Sequence, residues 1–504
     1  MSSIGKSISA SMLSNMWLVI LLLLLTPWYV HFLGVESYGL IGFYASLVTI
    51  LGILDTGISA TVTREIALRS VRTEEAKSIP VLLKSLEVLY WMIVIVIGLV
   101  ALTLAWAFGG NCFKSVALSQ ETIRHALILM SIALIVQMPS GLYSGGLIGL
   151  HRQAHNSSLL AFFGTLRGVG AILVLWKVHP DVRLFFLWQI MISLLQVSVM
   201  RIALWHRVNP HKYIVNYSVA MLNNIKGYAG GMTLITALSL AVSQSDKMIL
   251  SQTVSLIDFG HYMLAWSVAS GLMLIAMPLM QTYSPYFTKL ISVGNEQSLL
   301  IQFRLASQLM SVLVLPPAAF IVFNSEHVLL TWLGDSFVSA GAAPALTLLT
   351  LGTMLVACSY PALFLLYSRK QLKAVIIVQL IALVILWPTL VFSIITNGTI
   401  GAATCWILFG VITYISYQLL AMRGIPVQHM FTSIIQNFIA PCAMAFFCAH
   451  IFWHWLYTID TRWLFIACLL IALFVTWFVT LFVCLELRKI ISSKIGSIKV
   501  FQSW

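Results

Sequence analysis

Hydrophobic residues follow one another in runs longer than 18 positions, joined by short polar connections, along nearly the whole chain. The short alternating segments of a transmembrane β-barrel are missing from this pattern. A hydrocarbon core about 30 Å thick takes about 20 helical residues, so each run is long enough to cross a bilayer. The runs predict fourteen helices, at roughly 9–33, 38–62, 85–108, 123–149, 156–176, 184–205, 229–251, 258–287, 304–323, 341–367, 374–396, 400–421, 433–457 and 463–485. The expected class is an all-α polytopic membrane protein. Connections are short, the longest being Arg64 to Lys84 and Trp205 to Tyr228, as suits a compact bundle. Prolines at 139, 278, 285, 316, 317, 361 and 388 fall inside or at the ends of these helices and are expected to kink them. Trp28, Tyr29, Trp453, Trp455, Tyr457 and Trp463 cluster near helix ends and read as an interfacial aromatic belt.

Composition leads to the same class. With 60% hydrophobic residues, 9% charged residues and a mean hydropathy of +0.98, the chain has too little polar surface to wrap a soluble globule. Charge then sets the orientation. With the amino terminus inside, 21 of the 28 lysines and arginines collect on the cytoplasmic side, and Lys114, Arg124, Lys177, Arg183 and Arg462 stay outside. Arg167 and Lys247 remain within helices. Both termini are expected in the cytoplasm, with no cleaved signal, because polar Met1 to Ser9 precedes an apolar run too long for a signal core. The net charge of +13 reflects this topology and contact with anionic lipid headgroups; a soluble basic module for nucleic acid is absent. Six of the seven cysteines sit in apolar runs and read as packing residues rather than a disulfide framework.

The chain also reads as doubled. Glu36, Ser37, Tyr38 and Gly39 open helix two, and Ile257, Asp258, Phe259 and Gly260 open helix eight, placing aromatic-glycine pairs 221 residues apart in two successive six-helix blocks. The expected division is an N-lobe over 1–205, a cytoplasmic linker over 206–228, a C-lobe over 229–423 and a final pair of helices with a basic tail over 424–504. Six plus six plus two helices is a transporter-like plan, with the substrate held between tandem lobes.

Arg167 is the residue with the most chemistry. It stands alone in an uncharged stretch from Asn156 to Trp176, near the expected midplane. An arginine there costs at least about 2.5 kcal/mol on insertion scales, so it should face a polar interior and meet an anion. Ala161, Gly164, Gly168 and Ala171 border it at three- and four-residue spacing, allowing close backbone approach. Two readings stand side by side: a ligand-facing cation, or a structural arginine paired with Asp55 or with backbone carbonyls. Asp55 itself reads as structural or gating, because the Asp-Thr-Gly step can cap or break a helix end, with proton coupling as the other option. Asp246 and Lys247, near the outer end of helix seven, read as an ion pair between lobes or a gate, the lysine snorkelling to the interface. Arg64, Arg69, Arg72 and Arg152 crowd the cytoplasmic entrance, where they could attract an anion or simply satisfy the positive-inside rule.

The run Leu33, Gly34, Val35, Glu36, Ser37, Tyr38, Gly39, Leu40, then Leu54, Asp55, Thr56, Gly57, then Arg64 and Glu65, resembles the amino-terminal pattern of Wzx-type O-antigen flippases, polysaccharide-transport proteins of the MOP superfamily. Leu147 to Gln153 with Asn156, and Asp246 to Leu250 followed by Phe259 to Tyr262, extend the similarity, which covers roughly residues 5 to 425. The family often has twelve helices, so the pair after Pro426 departs from its commonest plan. The resemblance implies a MATE-like fold and a flippase in the bacterial inner membrane. Its expected substrate is an undecaprenyl-diphosphate-linked oligosaccharide, moved from the cytoplasmic to the periplasmic leaflet by alternating access. Membrane lipids, a polysaccharide polymerase and a chain-length regulator are the partners it suggests, and no cofactor. A cation-coupled multidrug exporter of the same fold is the main competitor and would be expected to carry buried acids rather than a central arginine. A membrane polymerase would need catalytic outer loops, and the longest outer loop is the short Asn324 to Ala340 segment. No Gly-Lys-Ser phosphate loop is present, and His450 with His454 lacks a third ligand for metal.

Overall fold

The computed structural model describes residues 3–70, 77–109, 113–209, 213, 215–219, 221, 237, 240–241, 243–423, 427–456, 458–459 and 461–489. Its elements are α1 (Ser3–Ser70), α2 (Ile79–Phe108), α3 (Gln120–Gln137), α4 (Pro139–Gly149), α5 (Gln153–Lys177), α6 (Val182–Val208) and α7 (243–253). There follow α8 (Leu256–Ala269), α9 (Gly271–Val293), α10 (Glu296–Phe323), α11 (Ser325–Leu333), α12 (Ser336–Ser368) and α13 (Leu372–Ala421). The last are α14 (Val427–Ile434), a π-helical turn at Ile435–Ile439, α15 (Ala440–Leu456) and α16 (Arg462–Val483).

Among the described residues, 11 helical stretches are long and apolar enough to cross a membrane. Two of them contain a glycine at positive φ that divides one stretch into two crossings: Gly34 at 77° in α1 and Gly398 at 55° in α13. With these divisions the stretches correspond to all the predicted helices except 229–251, much of which lies outside the described residues. The breaks with non-helical dihedrals fall at glycine. Only glycine enters that backbone region without a Cβ penalty, whereas Pro278, Pro285, Pro316, Pro317, Pro361 and Pro388 sit inside helices whose backbone stays helical. Pro139 does interrupt: it is the first residue of α4, where a missing N–H costs nothing. Two further differences concern boundaries. The helix expected to end near 62 continues to Ser70, and the Asn324 to Ala340 loop folds as α11.

The chain forms two compact units, Met1–Gly260 and His261–Trp504, with the boundary inside α8. In the first, small residues bring backbones together, as they must where lipid gives helices no hydrophobic reason to associate. A Cβ on Gly145 would lie 2.6 Å from the Ser59 carbonyl oxygen, and one on Gly149 2.9 Å from that of Thr63, so α4 lies directly on the second half of α1. The Thr63 hydroxyl donates to the Gly145 carbonyl at 2.9 Å. Glycine 164 and Gly168 of α5 meet Leu18 and Leu25 on the first half of α1. Buried Ile66, Leu82, Leu86, Tyr90, Leu142 and Met200 fill the centre between α1, α2, α4 and α6.

One carboxylate fixes the corner after Gly34. Glu36, buried, accepts from the Ser115 hydroxyl at 2.6 Å and from three successive backbone N–H groups, Val116 at 2.9 Å, Ala117 at 3.0 Å and Leu118 at 3.1 Å. Its neighbour Lys114 accepts from the Leu256 N–H at 2.8 Å and donates its ammonium to the Thr253 carbonyl at 3.1 Å. The two repeated aromatic-glycine steps meet here. A Cβ on Gly39 would come within 2.9 Å of the Leu256 carbonyl oxygen, and one on Gly260 would collide with that of Val35.

In the second unit α12 packs between α10 and α13, its contact with α13 made through Gly352 and Gly410, the latter 2.8 Å from the Gly352 carbonyl oxygen if given a Cβ. The helices α15 and α16 pack on α10. Gln308 of α10 reaches the segments that flank them: its Nε2 donates to Asn437 Oδ1 in the π turn before α15 at 3.0 Å, and its Oε1 accepts the Glu486 N–H beyond α16 at 3.0 Å. Because the glycine contact at 260 is with rigid backbone, Gly260→Ala is expected to cost about 1–3 kcal/mol and to lower the melting temperature in detergent. Gly271→Ala, which meets open space, should melt like the wild type; equal melting of both variants would contradict the close approach.

Candidate functional site

Arg167 lies on α5 facing α6. Its Nη2 donates to Gln196 Oε1 at 2.7 Å and to Ser193 Oγ at 3.3 Å, and its buried Nε has no hydrogen-bond partner among the described residues. Among the described residues no carboxylate is within ion-pair distance of it, and the partners that orient the guanidinium are neutral. The surroundings are polar and aromatic. Tyr44 lies within electrostatic reach and donates to Gln137 Oε1 at 2.9 Å, and its ring meets Phe186 edge-on. Tyr29 is buried, donating its hydroxyl to the Gly168 carbonyl at 2.9 Å, so it belongs to this interior rather than to the predicted belt. The glycine stripe beside Arg167 is what presses α5 onto α1, leaving the arginine on the adjoining face toward α6.

The other sequence-predicted residues are placed as follows. Arg64 and Arg69 come together on Glu65, at 3.0 Å and 3.4 Å. Arg69 also donates to Ser78 Oγ at 3.1 Å, which ties it to the start of α2. Arg152 is exposed immediately before α5, at the same end of the unit, since Gly149 packs on Thr63 and Ile66. Arg72 and the side chain of Asp55 lie outside the described residues. The backbone at 55–57 is continuous helix, so the expected cap or break at the Asp-Thr-Gly step does not form. Asp246 and Lys247 pair with each other, the ammonium lying 3.1 Å from Asp246 Oδ2 and donating to the Ser243 carbonyl at 3.2 Å. The Lys247 side chain is only 1% exposed, so it does not snorkel.

Two buried acids escaped the sequence reading. Glu36 was visible only as one letter of a motif, although a carboxylate beside a helix-breaking glycine is the signal of a loop clamp. Glu87 of α2 accepts from Arg201 Nε at 2.6 Å and from the Tyr143 hydroxyl at 2.7 Å, joining α2, α4 and α6. Its partner is 114 positions away, so nothing local announced it.

This geometry defines an all-helical, multi-pass membrane protein with a cation inside a membrane span. No family model and no curated protein matches the chain. Among solved structures, the lipid II flippase MurJ in an inward closed conformation is similar with a TM-score of 0.69 and 12% identity, over 95% of this chain and 98% of that one. An inward-facing multidrug resistance MATE family transporter of the MOP superfamily is similar with a TM-score of 0.68 and 12% identity, over 84% of this chain and 98% of that one. A MOP superfamily transporter from Pyrococcus furiosus, whose reversed binding-pocket polarity suggests a different function, gives 0.54 and 13%, over 86% and 96%. The chain therefore has the fold of MOP superfamily transporters.

Removing one partner of a buried pair leaves a charge in low dielectric and costs about 3–5 kcal/mol, whereas removing both is close to neutral. Lys247→Met is accordingly expected to lose most folded protein on size-exclusion chromatography in detergent, and Asp246→Asn combined with Lys247→Met to recover it. A double variant as poor as the single one would show that the pair is not what matters at this position.

Proposed function

We propose that this protein is a flippase that moves an undecaprenyl-diphosphate-linked oligosaccharide, the repeat unit of O-antigen or a related polysaccharide, from the cytoplasmic to the periplasmic leaflet of a bacterial inner membrane. The observation that carries the reading is Arg167: a cation within a membrane span, oriented by Gln196 and Ser193 and uncompensated by a described carboxylate. A diphosphate with a sugar head cannot enter hydrocarbon without partners, while its prenyl tail stays in lipid. A fixed guanidinium supplies the counter-charge, with Tyr29, Tyr44 and Gln137 as the surrounding polar wall. Arg64, Arg69 and Arg152 give the substrate its first basic contact at the cytoplasmic end, and Asp246 with Lys247 and Asp55 serve gating or coupling. Lobes of six helices each, rocking by alternating access, are the movement this plan uses. A polymerase and a chain-length regulator would take up the product.

Support from fold comparison is shared with a second reading. The flippase and the MATE transporter match with nearly equal scores, so a cation-coupled multidrug exporter is favoured to the same degree by fold. Charge separates them. Buried Glu36, Glu87 and Asp246 are each occupied by backbone N–H groups, arginine or lysine, which leaves them poor receptors for a cationic drug, whereas Arg167 suits an anion.

Arg167→Ala is expected to abolish surface polysaccharide at normal membrane levels of the protein, since removing a midplane charge lowers the insertion cost. Arg167→Lys should retain partial function, having the charge without the planar fork. Wild-type surface polymer from Arg167→Ala would refute the ligand-facing role, and loss of the protein itself would make the arginine structural. A reporter fused after Trp504 is expected to be active only in the cytoplasm, because fourteen crossings return the chain to its starting side.

A further inference from the structure

A second basic feature lies away from Arg167, at the end of the first unit that carries Lys84 and Arg201. There a cavity of about 520 Å³ opens between α2, α6 and the segment that follows α6, walled by Lys84, Arg201, Trp205, His206 and Tyr213. Behind two of these wall residues lies the Glu87 carboxylate, 4% exposed, which takes Arg201 Nε at 2.6 Å and lies 3.8 Å from the Lys84 ammonium. One negative charge thus faces two fixed positive ones, and the Lys84 and Arg201 side chains remain 37% and 51% exposed. Asn209 closes the rim by a reciprocal pair of hydrogen bonds with the Tyr213 backbone, at 2.8 Å and 3.1 Å. The Trp205 indole N–H, a donor, has no hydrogen-bond partner among the described residues.

An apolar track leads into this cavity. Leu187, Met191, Leu194, Leu195 and Ile202 are exposed along one face of α6 at helical spacing, and Ile202 is itself part of the cavity wall. Such a track has no use for a free ion and fits hydrocarbon chains lying along the span. A net positive, tryptophan- and tyrosine-lined hollow at the end of a lipid-facing stripe matches the two halves of an anionic amphiphile.

We propose that this cavity is a binding site for the phosphodiester headgroup of an anionic glycerophospholipid, its acyl chains lying on the exposed face of α6. Lys84 and His206 contact the phosphate, and Arg201, held by Glu87, presents the remainder of its guanidinium. The site is separate from the Arg167 region and does not depend on the transport reading.

One surplus cation at a membrane surface is worth about 1 kcal/mol, roughly a fivefold preference for an anionic over a zwitterionic lipid. Purified wild-type protein equilibrated with an equimolar mixture of phosphatidylglycerol and phosphatidylcholine is therefore expected to retain about five times more phosphatidylglycerol by native mass spectrometry. It should also melt higher with phosphatidylglycerol than with phosphatidylcholine or inorganic phosphate. Lys84→Gln combined with His206→Gln should remove both effects, and Lys177→Gln, at the other end of the span, neither. Glu87 keeps Arg201 and Tyr143 in the double variant, so folding in phosphatidylcholine should match the wild type. Equal retention of the two lipids by the wild type, a melting shift reproduced by inorganic phosphate, or an undiminished preference in the double variant would each overturn the proposal.

Discussion

The Glu36 carboxylate is the constraint from which the first unit is built. In lipid, helices gain little from meeting one another, and a loop near the bilayer must still satisfy its backbone donors. Glu36 gathers three consecutive N–H groups of the loop before α3 onto the corner where α1 turns at Gly34. Through Lys114 the same loop holds the turn between α7 and α8. Glu36 and Lys114 together thereby tie three connections at one corner. Glycine contacts run along both halves of α1, with α5 seated on the first half and α4 on the second.

Charges inside this fold are mostly settled internally. Glu87 meets Arg201, Asp246 meets Lys247, Glu65 meets two arginines, and Glu36 meets backbone dipoles. Arg167 differs: among the described residues its hydrogen-bond partners are the amide of Gln196 and the hydroxyl of Ser193. Neutral groups of this kind orient a guanidinium without supplying a counter-charge, which is the physical ground for the ligand-facing role proposed for it.

Much of this was legible from residues alone. Hydropathy located the crossings because bilayer thickness dictates run length, and the lone position of Arg167 marked it at once. What stayed hidden was settled by long-range pairing: the Glu87 and Arg201 contact spans more than a hundred positions, and no periodicity encodes it. The two full breaks, at Gly34 and Gly398, had no signal of their own, because a glycine at positive φ looks in sequence like any glycine of a packing stripe. Tyr29 looked interfacial from its place near a helix end, yet its hydroxyl finds a carbonyl on α5 that only the packing of Gly168 brings within reach.

The π turn at Ile435–Ile439 bears on how this chain is compared with others. A π turn takes in one residue more than an α turn, so the residues before it are rotated by about 100° relative to an unbroken helix. Ser433 and Asn437 thereby bond to each other, the Asn437 carboxamide donating to the Ser433 hydroxyl at 2.8 Å, and the Asn437 carbonyl receives the Ser311 hydroxyl. An alignment that keeps a strict helical period from Val427 to Leu456 would put one half of the segment on the wrong face. A one-residue gap within the π turn restores the register, and with it the equivalence of the polar contacts that dock the carboxy-terminal pair on α10.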